Sequence, residues 1–128
     1  MRIHTAMLYA TDLPRLVRFY GGLLGVRAEV DEGGRWARFD LDGTDFAVHA
    51  VPAAMVAELE LGSPPAPRED VPVKLLFTVD SLDGQPDRLA ALGATVLDRP
   101  WGTPDYADPE GNVFGLLPED GLRTGNVP

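Results

Sequence analysis

Few residues in this chain could do chemistry, and their types narrow what that chemistry is. There are two histidines, His4 and His49, a single lysine, Lys74, and no cysteine. Without a thiol, disulfides, thiolate catalysis and zinc–cysteine sites are excluded together. No nucleophile–base pair, phosphate-binding loop or pair of catalytic carboxylates stands out. The acidic residues fall mostly in turns or at helix caps. What remains are single polar groups and aromatic rings, Trp36, Trp101 and Tyr106 among them, whose faces suit flat or cationic ligands. The plainer alternative is that these rings close a core, and for Trp36 that is the better expectation.

The elements that must position these groups follow from hydrophobic spacing. Ile3–Ala10 reads as a first strand. Asp12 caps a helix whose apolar stripe is Leu13, Leu16, Val17, Tyr20, Leu23 and Leu24, with Pro14 in its first turn and Gly25 as its stop. Val26–Val30, Arg35–Leu41 and Thr44–Ala50 follow as short strands, punctuated by Gly33-Gly34 and Asp42-Gly43. Val51–Leu61 reads as a short helix with Met55, Val56 and Leu59 on one side. The proline-dense Gly62–Pro67 then gives a stiff, extended connector. After it the pattern restarts, with a strand Val73–Val79, a cap at Asp80 or Ser81, and a helix Pro86–Leu92 ended by Gly93. Strands at Thr95–Asp98, Pro104–Ala107 and Val113–Leu117 complete the second half.

The restart has a register. Asp12 and Asp80 lie 68 residues apart, as do Gly25 and Gly93, and Phe46 and Phe114. The turn Asp40-Leu41-Asp42-Gly43-Thr44 matches Asp108-Pro109-Glu110-Gly111-Asn112 at the same offset. We read this as an internal duplication, with the first strands free to pair one residue out of step. The expected fold is therefore α+β: two tandem βαβββ modules, at about residues 1–61 and 73–120, joined by a connector at about 62–72 within one 128-residue domain. A four-stranded sheet with one helix covers one face only. The other face curls, and two such modules form a curved sheet around a ligand cavity.

Met7-Leu8-Tyr9-Ala10-Thr11-Asp12-Leu13, followed by Arg18-Phe19-Tyr20 and Leu23-Leu24-Gly25, and the hairpin Asp108-Pro109-Glu110-Gly111-Asn112-Val113-Phe114 carry a resemblance. In order and spacing they resemble the vicinal oxygen chelate superfamily of glyoxalases, bleomycin-resistance proteins and extradiol dioxygenases. The Asp-Pro-Glu-Gly-Asn turn itself is structural, since Pro109 presets φ and Gly111 takes the positive φ that ends a type I turn.

The resemblance implies four strand positions for metal-binding His or carboxylate side chains. Here they fall on Thr5, on Lys74, on Gly115 and on either His49 or Ala47. His4 sits one residue away from the first of them, on the opposite face, and packs at the sheet edge in the plain reading. One imidazole beside a lysine does not hold a metal, so no metal ligand, no cofactor and no catalytic residue are expected. His49 is then either a ligand-contacting group in a metal-free cavity or a partly solvated strand-end histidine. Lys74 is a counter-charge for an anionic ligand, a buried amine of lowered pKa, or a snorkelling side chain, the last being the plainest.

Pro100-Trp101-Gly102 resembles a segment of bleomycin-resistance proteins, which are acidic, lack the metal and sequester a cationic drug between two subunits. This implies a ligand-binding set of Tyr9, His49, Lys74, Trp101, Asp105 and Tyr106, with Trp101 as an apolar wall and Asp105 as a charge partner. The expected function is metal-independent binding of a small cationic or aromatic molecule, as in antibiotic sequestration or resistance. The alternative is an enzyme: a divergent lyase or isomerase of glyoxalase type, a dioxygenase-like enzyme, or one using Lys74 and His49 for acid–base chemistry. A third reading is a domain whose cavity has collapsed and whose role is protein interaction. A homodimer is expected, because exposed sheet edges and a concave apolar face need cover. A net charge of −9 repels phosphate backbones, so no nucleic-acid partner is expected. The N-terminus lacks a signal peptide's apolar core and no run spans a bilayer, so no membrane association and a cytoplasmic location are expected.

Overall fold

A computed structural model describes residues 1–59 and 61–119. The chain divides into two compact units, Met1–Gly62 and Ser63–Pro128. In the first, β1 (Thr5–Ala10) leads into α1 (Leu13–Leu24), and β2 (Glu29–Val30), β3 (Trp36–Asp40) and β4 (Asp45–Ala50) follow. The strand order is β1-β4-β3-β2, with β1 parallel to β4 and the other pairs antiparallel. The second unit repeats this arrangement with β5 (Leu75–Val79), α3 (Gln85–Leu92), β6 (Thr95–Leu97), β7 (Asp105–Ala107) and β8 (Val113–Pro118), in the order β5-β8-β7-β6. The fold is α+β and its two tandem βαβββ modules are as the sequence predicts.

Asp12 caps α1 by accepting from the Arg15 amide at 3.2 Å, and Gly25 ends the helix at φ +65°. The helix buries Leu13, Leu16, Phe19, Tyr20 and Leu23 against Ala37, Phe39, Phe46 and Val48 of the sheet. Tyr20 lies 4.8 Å from Phe46, ring to ring. In the second unit Phe114 sits between Phe77 and Tyr106, at 5.7 and 5.8 Å, beside the buried Leu89 and Leu116. Phe46 and Phe114 are therefore equivalent core residues.

Several expectations need correction. The α3 cap is Gly84, at φ +75° with no side-chain cap, rather than Asp80 or Ser81. The Ser81 hydroxyl instead accepts from the Asp83 amide, holding the chain in a turn before the helix starts. Among the described residues of the expected helix Val51–Leu61, Ala53–Val56 (α2) and a 3-10 turn at Ala57–Leu59 form, residue 60 lies outside the described residues, and Met55, Val56 and Leu59 are exposed rather than packed.

The 68-residue offset holds for β4 and β8 but not for their neighbours. Phe46 pairs with Ala6 and Phe39, whereas Phe114 pairs with Leu75 and Tyr106, giving offsets of 69 and 67. The turns explain the second shift. Asp42 and Gly43 both have positive φ and close a tight two-residue hairpin, whereas Asp108–Asn112 is a type I turn ending in Gly111, one residue longer.

The connector is not merely extended. The Arg68 amide donates to the Gly111 carbonyl at 2.9 Å, and its guanidinium donates to Glu110 O at 2.5 Å and Asn112 Oδ1 at 2.6 Å. The connector is thereby fastened to the β7–β8 turn.

Candidate functional site

Each sheet has one face against its helix and one open face. On the open face of the first unit, strand pairing sets Tyr9, His49 and Trp36 in one row, with Met7, Ala47 and Arg38 in the next. The rings of Tyr9 and His49 are 5.9 Å apart. His49 Nδ1 lies 2.9 Å from the Ala50 carbonyl, which can only accept, so Nδ1 is the donor of that contact. Trp36 belongs to this exposed row and does not close the core as expected. Arg38 bridges Glu29 at 2.8 Å and both oxygens of Asp45 at 3.0 Å, and these hydrogen bonds, Glu29's first, hold its guanidinium above the ordinary range. His4 precedes β1 and is exposed rather than packed, with Nδ1 2.6 Å from the Thr5 hydroxyl.

On the open face of the second unit the side chains converge more closely. Asp105 on β7 is buried, yet its Oδ2 accepts from Lys74 Nζ at 2.8 Å and from Arg99 Nε at 2.9 Å. Arg99 also pairs with Glu69 of the connector, and these hydrogen bonds, Glu69's before Asp105's, raise the guanidinium pKa. The Gly102 amide donates to the Arg99 carbonyl, closing a turn with Pro100 in its second position. That turn holds Trp101 out, 54% exposed, with Lys74 Nζ and Arg99 Cζ each 5.9 Å from its ring centre. Together with Arg68, Glu69, Val71, Val73 and Val113 these groups line a cleft of about 300 Å³.

The structure thus brings Tyr9 and His49 together in one unit, and Lys74, Trp101 and Asp105 in the other. Lys74 is ion-paired to Asp105 while its side chain stays one-third exposed. Tyr106 is not in the cleft. Strand alternation sends it to the opposite face from Asp105, where it is buried and stacked on Phe114, with Leu82, Pro86 and Leu116 around a small pocket of about 150 Å³. Sequence reasoning missed Arg99, Glu69 and Arg68. The signal for Arg99 was its place directly before Pro100-Trp101-Gly102, while the other two lie in a connector read as a spacer.

Burial first, and the Asp105 charge second, raise the Tyr106 phenol above its ordinary value of 10.0. The protonated phenol is thus favoured by folding. That contribution is complete below pH 10 and lost as pH rises through the raised folded value. Tyr106→Phe keeps the ring and is expected to remove this part of the alkaline loss, giving a flatter stability profile above pH 10 than the parent in denaturant titrations. Identical alkaline profiles would refute it.

The strand positions for metal donors do not fit a divalent cation. They carry the Thr5 hydroxyl, the Lys74 ammonium paired to Asp105, and Gly115. The Phe46–Phe114 correspondence makes Ala47, not His49, the first unit's equivalent of Gly115. A Cβ at Gly115 would lie 2.6 Å from Leu76 Cδ2 and 3.0 Å from Asp105 Oδ1, so an acidic side chain there would have to displace both. Among the described residues no three His, Asp or Glu side chains gather. Among them, too, no helix is long and apolar enough to cross a membrane.

A family model described as a glyoxalase-like domain matches residues 5–117. No curated protein matches the chain. Among solved structures, a glyoxalase/bleomycin resistance protein/dioxygenase family enzyme from Burkholderia phytofirmans is similar at a TM-score of 0.68 and 20% identity, over 91% of this chain and 97% of that one. A glyoxalase/bleomycin resistance protein from Albidiferax ferrireducens gives 0.63 and 19%, over 91% and 98%. A lactoylglutathione lyase from Agrobacterium tumefaciens gives 0.59 and 21%, over 93% and 94%. At these identities the likeness is one of fold.

Proposed function

We propose a binding function from one premise: the chain belongs to the glyoxalase-like domain family, within the vicinal oxygen chelate superfamily. The function proposed is metal-independent binding of a small aromatic molecule, with antibiotic sequestration as its physiological form. The observation that carries it is the exposed indole of Trp101 over a cleft of about 300 Å³, on a fold whose metal-donor positions carry Thr5, Ala47, Lys74 and Gly115. A large apolar ring held in water by a turn has a purpose if something flat covers it. The vacated donor positions remove the Lewis acid on which a glyoxalase-type lyase or isomerase would rely.

The test is thermal stability with and without chelator, across a panel of planar natural-product antibiotics. A ligand that binds only the native state at a hundredfold its Kd adds about 2.7 kcal/mol, roughly 10 °C for a chain of this size. A binder from the panel should raise the Tm, Trp101→Ala should abolish the rise, and chelator should leave the Tm unchanged. Elemental analysis of untagged protein should find metal well below one per chain. One tightly held metal per chain, with chelator lowering the Tm, would overturn this reading in favour of the enzyme.

A homodimer is part of the proposal. Among the described residues each sheet ends on strands paired on one side only, and Met7, Tyr9 and Trp36 are exposed on one open face. Such edges and apolar faces favour pairing. Sedimentation at tens of micromolar, roughly the range for a stable interface, is expected to give a dimer. A monomer at that concentration would refute it.

A further inference from the structure

The charges around Trp101 select among aromatic ligands, and they do not select cations. Three basic groups line the cleft, Arg68, Lys74 and Arg99, against two carboxylates, Glu69 and Asp105. The local balance is positive within a chain of net charge −9. Asp105, the acidic group that the resemblance to bleomycin-resistance proteins offers a cationic ligand, is already engaged: one of its oxygens accepts from both Lys74 and Arg99. A cationic ligand would have to settle beside two fixed cations, each already 5.9 Å from the indole centre.

The same contacts leave donors open. An ammonium carries three N–H groups and a guanidinium five. Among the described residues Lys74 donates to Asp105 alone, and Arg99 donates through Nε to Asp105 and through one terminal nitrogen to Glu69, leaving its other terminal nitrogen without a partner. Asp105, buried on β7, thus acts as a positioning residue that holds two cations side by side next to a ring.

We propose that this cleft binds planar aromatic anions, the ring lying against Trp101 and a carboxylate or phenolate oxygen taking the open donors of Lys74 and Arg99. This rests on the binding function proposed above and names its ligand class. Glu69 is then a competitor: an exposed carboxylate already on Arg99, which an incoming anion partly displaces.

The experiment uses three probes of one shape, 2-naphthoate, 2-naphthamide and 2-naphthylmethylammonium, titrated against the full chain and read at the Trp101 indole N–H by NMR. Naphthoate should bind about tenfold tighter than the amide, as expected for a charge-assisted contact in a partly solvated site, and the ammonium weakest. Lys74→Gln should weaken naphthoate about tenfold and leave the amide unchanged, while Lys74→Arg retains binding. Glu69→Gln, at an exposed position, should strengthen naphthoate about 2–5-fold, which keeps a test if the lysine variants fold poorly. Equal binding of the three probes, or tightest binding of the ammonium, would overturn the anion inference and leave the aromatic-binding function standing. If none of the probes shifts Trp101, both fall.

Discussion

Replacing Phe46 or Phe114 with alanine is expected to cost about 3–5 kcal/mol of folding stability, much of the total stability of a typical domain. Phe46 is 1% and Phe114 2% exposed, and each ring is packed among other rings. Truncation removes the apolar contact and leaves a cavity that the aromatic neighbours can only partly fill. Phe46 loses Tyr20 from the helix and Phe39 from the sheet, while Phe114 loses Phe77 and Tyr106. The same size of effect at both positions is the energetic form of the duplication. Denaturant unfolding measures it as a lower midpoint at unchanged slope. Where an alanine variant does not fold, Phe→Leu at the same site gives a smaller loss in the same order. Near-neutral effects at both positions would refute their placement as equivalent core residues.

Most of the fold was legible because it depends on period and punctuation. Leu13, Leu16, Tyr20 and Leu23 recur at helical spacing and are buried; Gly25 and Gly93 stop their helices with positive φ. What was not legible depends on one-residue differences. The offset between repeats is 69 at Ala6/Leu75, 68 at Phe46/Phe114 and 67 at Phe39/Tyr106. Similar letters at Asp40–Thr44 and Asp108–Asn112 conceal hairpin loops of different length. Because side chains alternate, such shifts decide which face a residue occupies. Tyr106 went to the core for this reason while its neighbour Asp105 went to the open face.

The site was legible in part. The sequence singles out Lys74, Trp101 and Asp105, but as separate groups: a lysine that is a counter-charge, a buried amine or a snorkelling side chain, an apolar wall and a charge partner. Their meeting depends on a pairing 31 residues apart in sequence and on Arg99, whose type gave no signal among so many surface arginines. Once Arg99 joins them, Asp105 holds two cations, which is the observation the anion proposal rests on. A lone aspartate beside a tryptophan invites a cation, whereas an aspartate already holding two cations does not.

Gly111→Ala should be the most damaging small substitution in the second unit, costing about 3–5 kcal/mol. Two independent penalties combine there. The residue sits at φ +86°, where a Cβ costs about 1–2 kcal/mol. That Cβ would also lie 2.2 Å from the Ala66 carbonyl oxygen and 3.0 Å from its carbon. These are backbone atoms, so no rotamer change relieves the contact, and the connector or the turn has to move. Movement strains the Arg68 amide's bond to Gly111 and the guanidinium's bonds to Glu110 and Asn112, some of which are charge-assisted and worth about 1.5–3 kcal/mol each. Gly43→Ala is the control. Its φ is +109° and nothing lies within 4 Å of the added carbon, so only the backbone penalty of about 1–2 kcal/mol applies. The difference of roughly 2 kcal/mol between the two variants therefore measures how firmly the connector is fastened to the turn. Arg68 and Glu69 line the cleft from that connector, so Gly111→Ala should also weaken 2-naphthoate binding where Gly43→Ala does not. Equal losses of stability in the two variants would mean that the connector yields freely, and the clamp would then contribute nothing to the shape of the cleft.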